Sequence, residues 1–497
     1  MSSYILSVDQ STSATKALIF NNRAKVVERT SREHEQIYPQ PGWVEHDPEE
    51  IIANTLDVIG EMARVRQDGA IQALAITNQR ETVLVWDRTS GRPVYNAIVW
   101  QCNRGAGYCE ELRNNGWEDK IRGKTGLIID PYFSATGIRW ILEKVPGACE
   151  KARNGELLFG TTDTWLIWKL TEGRIHATDY SNACRTMLFN INTLEWDKEI
   201  MDLLGIPVSM APRVLYSDEH FGETTAGGAF DKPVPISGVM GDSHAALFGQ
   251  LCFSTGMAKA TYGTGSSIMM NIGDSPLASP QGLVTSIGYG IRESVRYVFE
   301  GNIHCTGATI KWLRDELEII GNAADTDALA SSVESSEGTY LVPAFAGLGA
   351  PYWNNEAKAI ICGMTFRTKK AHVVRAALEA IAYQVRDLVD LMKQQAGIGE
   401  IELRVDGGPV KNNFLMQFQA DIIGGVINRS DIEEASAAGV MMAAGLYLEW
   451  WQSLPELEDL RKGELIKGNM PVERSRELYT GWKSAVARAL FKDEQLS

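Results

Sequence analysis

The sequence predicts an α/β fold in two domains of comparable size that face each other across a cleft. Three observations point there: the length of the chain, an order of strand-like and helix-like segments that starts again midway, and a small-residue turn in each half. At 497 residues the chain exceeds what a single hydrophobic core ordinarily organises. Hydrophobic residues make up 44% and charged residues 22%, which is globular composition and excludes a disordered chain.

In the first half, strand-like runs at 5–8, 16–20, 73–77 and 82–86 alternate with helical stretches such as 48–66. The start of that helix, Asp47-Pro48-Glu49-Glu50, supplies a capping carboxylate, a proline at the first helical position and acidic residues in the first turn. A break is expected between Gly249 and Gly256, which divides the chain into domains 1–250 and 251–497 and makes those two glycines candidate hinges. The second half repeats the order, with strands near 258–261, 267–271 and 297–300 and a helix at 308–320. A later strand, 401–405, runs through Asp406 into Gly407-Gly408 ahead of a helix at 412–420. A duplicated fold follows.

The two turns carry the chemistry. In Asp9-Gln10-Ser11-Thr12-Ser13 and Tyr262-Gly263-Thr264-Gly265-Ser266, an apolar run stops at small residues. Their backbone N–H groups can approach an anion and their hydroxyls can donate to it. Either alone reads as a hairpin. Together with Asp9 and with Gly241-Asp242-Ser243 shortly before the second, they read as two halves of a phosphate clamp. The strand ending in Gly407-Gly408 before a helix offers backbone to a nucleotide's phosphate or adenosine.

A net charge of −15 without a clustered basic surface argues against a nucleic-acid partner, while a single ATP needs no basic patch. The seven cysteines, at 102, 109, 149, 184, 252, 305 and 362, contain no Cys-x-x-Cys pair and read as reduced, mostly buried thiols of a cytoplasmic protein. No apolar stretch reaches membrane-spanning length, so neither a signal peptide nor membrane insertion is expected. His244 reads as structural, and Trp165 and Trp168, at helical spacing, as core.

Further motifs run almost end to end in one order: Gly42-Trp43-Val44-Glu45-His46-Asp47-Pro48, Thr77-Asn78-Gln79-Arg80-Glu81-Thr82, Ala97-Ile98-Val99-Trp100-Gln101, Asp130-Pro131-Tyr132-Phe133-Ser134 and Asp163-Thr164-Trp165. Gly241-Asp242, Tyr262-Gly263-Thr264-Gly265, Ala350-Pro351-Tyr352-Trp353 and Val405-Asp406-Gly407-Gly408 continue the series. By these segments the chain resembles the FGGY family of carbohydrate kinases. The resemblance implies two actin-like, ribonuclease-H-like ATPase domains around a central cleft, with ATP on one side and a small-molecule polyol or sugar on the other. It implies Asp242 as general base, Asp9 as holder of Mg2+, and Thr12, Ser13, Lys16 and Thr264 facing the phosphates. Gly307, Gly408 and Asn412 match nucleotide-contacting positions, and Arg80, Glu81, Trp100, Tyr132 and Asp242 match the substrate-contacting set. A homodimer or homotetramer is the expected assembly.

The chain departs from the family pattern at three of these positions. Glycerol-phosphorylating members usually carry Arg where this chain has Lys16, Gln where it has Ser243, and Phe where it has Ser267. Lys16 keeps the charge without the bidentate fork. Replacing an aromatic ring by Ser267 either opens the pocket to a four- or five-carbon polyol or ketose, or leaves space that nearby Met269, or a shifted side chain, refills so that glycerol still fits. A ketose kinase of the xylulose or ribulose type is the near alternative. The distant one is an ATP-binding switch of the actin or chaperone kind, which would have no polyol pocket. Members that respond to a sugar bisphosphate carry a Gly-Gly-Thr-Arg loop where this chain reads Phe230-Asp231-Lys232-Pro233, so fructose 1,6-bisphosphate is expected to leave the rate unchanged.

Overall fold

The computed structural model describes residues 2–65, 69–279, 282–432, 434–460 and 463–491. Two mixed sheets dominate it, and they share one plan. In the first, Ser2–Gln10, Ala14–Asn21 and Val26–Glu33 form an antiparallel meander. Gly69–Asn78 and Val234–Gly241 then add in parallel on the other side of the first strand. In the second, Met257–Tyr262, Ser266–Gly273 and Ser294–Ile303 form the meander, and Glu402–Gly407 and Val426–Arg429 add in parallel. The expected duplication is therefore present in these five strands, with Val284–Ile291 as an additional edge strand of the second sheet.

Both faces of the first sheet are covered, which is why its strands read as nearly continuous apolar runs. Leu6, Val8, Ala17 and Ile19 point to one face, where Ile51, Ile52, Val58, Ile59 and Met62 of the Pro48–Val65 helix pack. Ile5, Leu18 and Phe20 point to the other, against the Ala435–Tyr447 helix. This helix comes from the second half of the sequence. It also lies against the Asp242–Gly249 helix so closely that a Cβ on Gly439 would stand 1.9 Å from the Ala245 carbonyl oxygen, and one on Gly249 2.2 Å from that of Ala435. Gly249 is the last residue of its helix, and its lack of a side chain permits this contact.

A third, four-stranded sheet of Glu45–His46, Ala97–Ile98, Val83–Asp87 and Leu157–Thr161 extends the first half and carries Trp100 just past one of its strands. In the second half, the Lys370–Ala396 helix covers the second sheet. The helix expected at 308–320 runs only over Gly307–Asp315, since the chain leaves it through Glu318 at φ 53°. The cap expected before the first long helix is present, with Asp47 Oδ1 accepting from the Glu49 N–H at 2.9 Å. All seven cysteines are free thiols, five of them buried. Among the described residues no helix is long and apolar enough to cross a membrane.

Candidate active site

Strand register gathers the first group of residues. Asp9 pairs with Thr77, Gln10 with Asn78, and Asn78 in turn with Gly241. The three parallel strands thus end level, and Asp9, Arg80 and Asp242 emerge at their carboxyl ends, where open α/β sheets hold ligands. Asp242 opens its helix and its Oδ1 accepts from the Ser243 N–H at 2.6 Å. Its side chain keeps 38% exposure, while Arg80, whose Nε stands 3.3 Å from the same oxygen, keeps 5%.

Arg80 belongs to a buried ring of four charges. Its two terminal nitrogens donate to Glu300 at 3.1 and 2.9 Å, Arg185 reaches Glu300 at 2.8 Å, and Arg185 Nε donates to Glu81 at 2.6 Å. Burial pushes the Glu300 carboxyl up, but Arg185 and Arg80 outweigh it and hold the group well below the ordinary carboxylate range. Glu81 goes the other way, since burial outweighs Arg80 and Arg185 there. Arg80 and Glu81, expected to meet substrate hydroxyls directly, have their charges matched within this ring. His244 is fully buried between Arg80 and Ser286, and burial, with Arg80, keeps its ring neutral. This is the structural role expected of it.

The first turn stands beside this group. Thr12 Oγ1 accepts from Trp100 Nε1 at 3.0 Å, Ser13 is exposed, and Lys16, the register partner of Asp9, pairs with Glu434 at 3.2 Å. Asp9 is buried, and its Oδ1 has no hydrogen-bond partner among the described residues. Burial pushes its carboxyl up to about 7, opposed by Lys16 and helped by Asp242 and Glu434. An orphaned carboxylate oxygen in a field of neighbouring acids fits a divalent cation. Among the described residues no cluster of three or more acidic, His or Cys side chains could hold a metal. A magnesium ion there would draw on one or two carboxylates, with phosphate and water oxygens completing its shell.

The second turn is tied to the next helix. Gly307 N–H donates to the Gly263 carbonyl at 2.9 Å and Ala308 N–H to that of Thr264 at 3.0 Å, leaving Thr264 exposed at the start of Gly307–Asp315. Only glycine permits this approach, because a Cβ on Gly307 would lie 2.7 Å from the Gly263 oxygen. Gly307, Gly408 and Asn412 all line one cavity of about 580 Å3, together with Thr326, Asp327, Leu378 and Ile381. The Asn412 side chain is itself engaged, accepting from the Leu415 N–H at 2.8 Å and donating to Thr326 at 3.0 Å.

A second cavity, of about 520 Å3, lies between the halves. Trp100, Tyr132 and Ser267 line it, with Arg185, Glu300 and Asn302. Trp100 and Tyr132 meet edge to face at 5.5 Å. Arg80 and Glu81 reach this cavity through Glu300 and Arg185, while Ser243 stays in the first turn of the Asp242 helix. Met269, one of the two candidates for refilling this space, is fully buried with Leu247, Phe248 and Tyr289 and does not line the cavity. Sequence reasoning missed Glu300, Arg185 and Glu434. The usable signal was a lone charge inside an apolar run, as in Tyr297-Val298-Phe299-Glu300, which must be paired if the run is buried.

Known proteins match the chain over nearly its whole length. The N-terminal domain profile of the FGGY family of carbohydrate kinases matches residues 4–249, and the C-terminal domain profile matches residues 258–448. The chain is 50% identical over 496 residues to glycerol kinases of Salmonella arizonae and Shigella dysenteriae serotype 1, covering 99% of this chain and 98% of each relative. Among solved structures, the glycerol kinase of Plasmodium falciparum with ADP superposes with a TM-score of 0.95 at 36% identity, over 99% of both chains. A ligand-bound xylulose kinase of Lactobacillus acidophilus superposes with a TM-score of 0.90 over the full length of both chains, but at 20% identity that likeness speaks to the fold alone. The chain belongs to the FGGY family of carbohydrate kinases.

Proposed function

We propose that this chain is an ATP-dependent kinase that phosphorylates a primary hydroxyl of a small polyol, glycerol, with Mg2+ as its metal and Asp242 as general base. The observation that carries the reading is the position of Asp242. Its open carboxylate stands at the ends of three parallel strands, steadied by Arg80 at 3.3 Å. Fifty per cent identity to glycerol kinases over 99% of the chain supports glycerol as the acceptor, and the ADP of the Plasmodium relative supports an adenine nucleotide as the donor.

A polyol hydroxyl is a poor nucleophile near neutral pH, so its proton needs an acceptor in line with attack. Asp242 takes that proton as the hydroxyl oxygen bonds to the γ-phosphorus. The bond from that phosphorus to the bridging oxygen breaks, and ADP leaves with the electron pair. Mg2+, when bound, neutralises charge on the phosphate oxygens, and Asp9 would hold it. Thr12, Ser13 and Lys16 from the first turn and Thr264 from the second would meet the phosphates, while Gly307, Gly408 and Asn412 would form the nucleotide cavity. Trp100 and Tyr132 would cover the C–H edge of the polyol, with Arg80, Glu81, Ser243 and Ser267 as its polar surroundings.

On this reading the catalytic unit comprises domains 1–250 and 251–497, works in the cytoplasm and assembles as a homodimer or homotetramer. The test is ADP release by the full chain with Mg·ATP and glycerol, with phosphorus NMR of the product. A phosphomonoester on a primary carbon, formed in step with ADP, is expected. ADP release that does not depend on added polyol would refute the reading.

A further inference from the structure

Lys16 and Glu434 lie 418 positions apart in sequence and meet beside the first turn. Lys16 Nζ donates to Glu434 Oε2 at 3.2 Å and to Oε1 at 3.5 Å, so one ammonium engages both carboxylate oxygens. Glu434 stands at the cap position ahead of the Ala435–Tyr447 helix, where a carboxylate ordinarily accepts from N–H groups of the first turn. Its side chain makes no such bond and turns to Lys16 instead. Ser436, in that first turn, donates through Oγ to the Asp242 carbonyl at 2.9 Å, which holds the start of the helix against the residue read as general base. The pair is open to exchange, since the Lys16 side chain keeps 36% exposure and that of Glu434 23%.

The cation expected to meet nucleotide phosphates is thus matched by a carboxylate of the chain itself. Lys16, Asp242 and Glu434 all act on the Asp9 carboxyl through space, and Arg80 is engaged by Glu300. An uncomplexed di- or triphosphate entering here has to displace Glu434 from Lys16 and then lie among carboxylates, and like charges a few ångströms apart repel. A phosphate complexed with magnesium carries less negative charge, and the displaced Glu434 carboxylate then faces a cation rather than bare phosphate. We infer that Glu434 is a specificity-determining residue of the phosphate turn, which competes with nucleotide phosphate for Lys16 and so admits the magnesium complex in preference to free nucleotide. Glu434 acts here through its charge and not as a metal ligand. This rests on the ATP-dependent kinase reading above and deepens it.

The test is calorimetric titration of the full chain with ADP, once with Mg2+ and once with EDTA, for the native protein and for Glu434→Gln. A part-exposed ion pair contributes little to stability, and the urea midpoint shows that the variant is folded. Native ADP binding is expected to weaken by at least about fivefold without Mg2+, the lower end of ordinary coupling between two ligands. Glu434→Gln is expected to bind ADP in EDTA at least about threefold more tightly than the native chain, and to narrow the metal dependence by the same factor. Glu434→Asp, which keeps the charge, is expected to stay nearer the native chain than Glu434→Gln does. Glu49→Gln removes a carboxylate paired with Lys169 elsewhere in the first half, and is expected to leave both affinities unchanged. The inference is overturned if native binding is indifferent to Mg2+, if Glu434→Gln binds ADP in EDTA no more tightly than the native chain, or if Glu49→Gln shows an equal gain, which would make the effect one of net charge. Absence of ADP binding by the native chain under both conditions would overturn the kinase reading itself.

Discussion

The guanidinium of Arg80 clasps both carboxylate oxygens of Glu300 at 3.1 and 2.9 Å, so a residue at the end of a first-sheet strand is fastened to the middle of a second-sheet strand. Glu300 also holds Arg185 at 2.8 Å. Removing its carboxylate strands two buried guanidinium groups. Glu300→Ala is therefore expected to lose about 3–5 kcal/mol of stability, read as a lower urea midpoint, and to lower kcat through the loosened Arg80 beside Asp242. An unchanged midpoint would mean that the ring does not hold the halves together.

Arg80 and Glu300 are 220 positions apart, and that separation explains what could and could not be read beforehand. The two turns and Asp242 were legible because their chemistry is local: small residues beside Asp9, glycines around Thr264, a Gly-Asp pair opening a helix. The alternation of strands and helices that begins again in the second half was legible for the same reason, whereas the strands Val26–Glu33, Val234–Gly241 and Val284–Ile291 were not. The charge ring was not, since nothing near Glu300 in sequence names its partners. The Ala435–Tyr447 helix gives a second case. It is buried on nearly every side, so it has no apolar stripe to show which surface it covers, and only the structure shows it lying on the first sheet.

That helix contact makes a prediction of its own. Gly439→Ala would drive a methyl to 1.9 Å from the Ala245 backbone oxygen, which no side-chain rotation relieves. The expected loss is at or above the roughly 1–3 kcal/mol usual for overpacking. Gly399→Ala, where a Cβ would meet nothing within 4 Å, is expected to stay within about 0.5 kcal/mol of the native chain. Equal effects in urea unfolding would refute the close approach.

Asp9 sets a pH dependence. Its carboxyl sits at about 7 in the folded chain against 3.8 as its ordinary value, mainly through burial. Between those limits the folded state keeps a proton that the unfolded state has lost, so this group's contribution is full below the lower value and disappears as pH rises through the upper one. Asp9→Asn removes the dependence. In the absence of nucleotide and Mg2+, the variant is expected to match the native chain near pH 4 and to exceed it at pH 8 by roughly 2–4 kcal/mol. A difference that is the same at both pH values would place the buried proton elsewhere.

Asp242, open at the ends of the first sheet's parallel strands and steadied by Arg80, is proposed to remove the proton of the acceptor hydroxyl. The most direct measurement is kcat of Asp242→Asn with Mg·ATP and glycerol, alongside its affinity for ADP. A fall of at least about a hundredfold in kcat is expected, as for loss of a general base, with ADP affinity within about threefold of the native chain. Near-native turnover by the variant would contradict it.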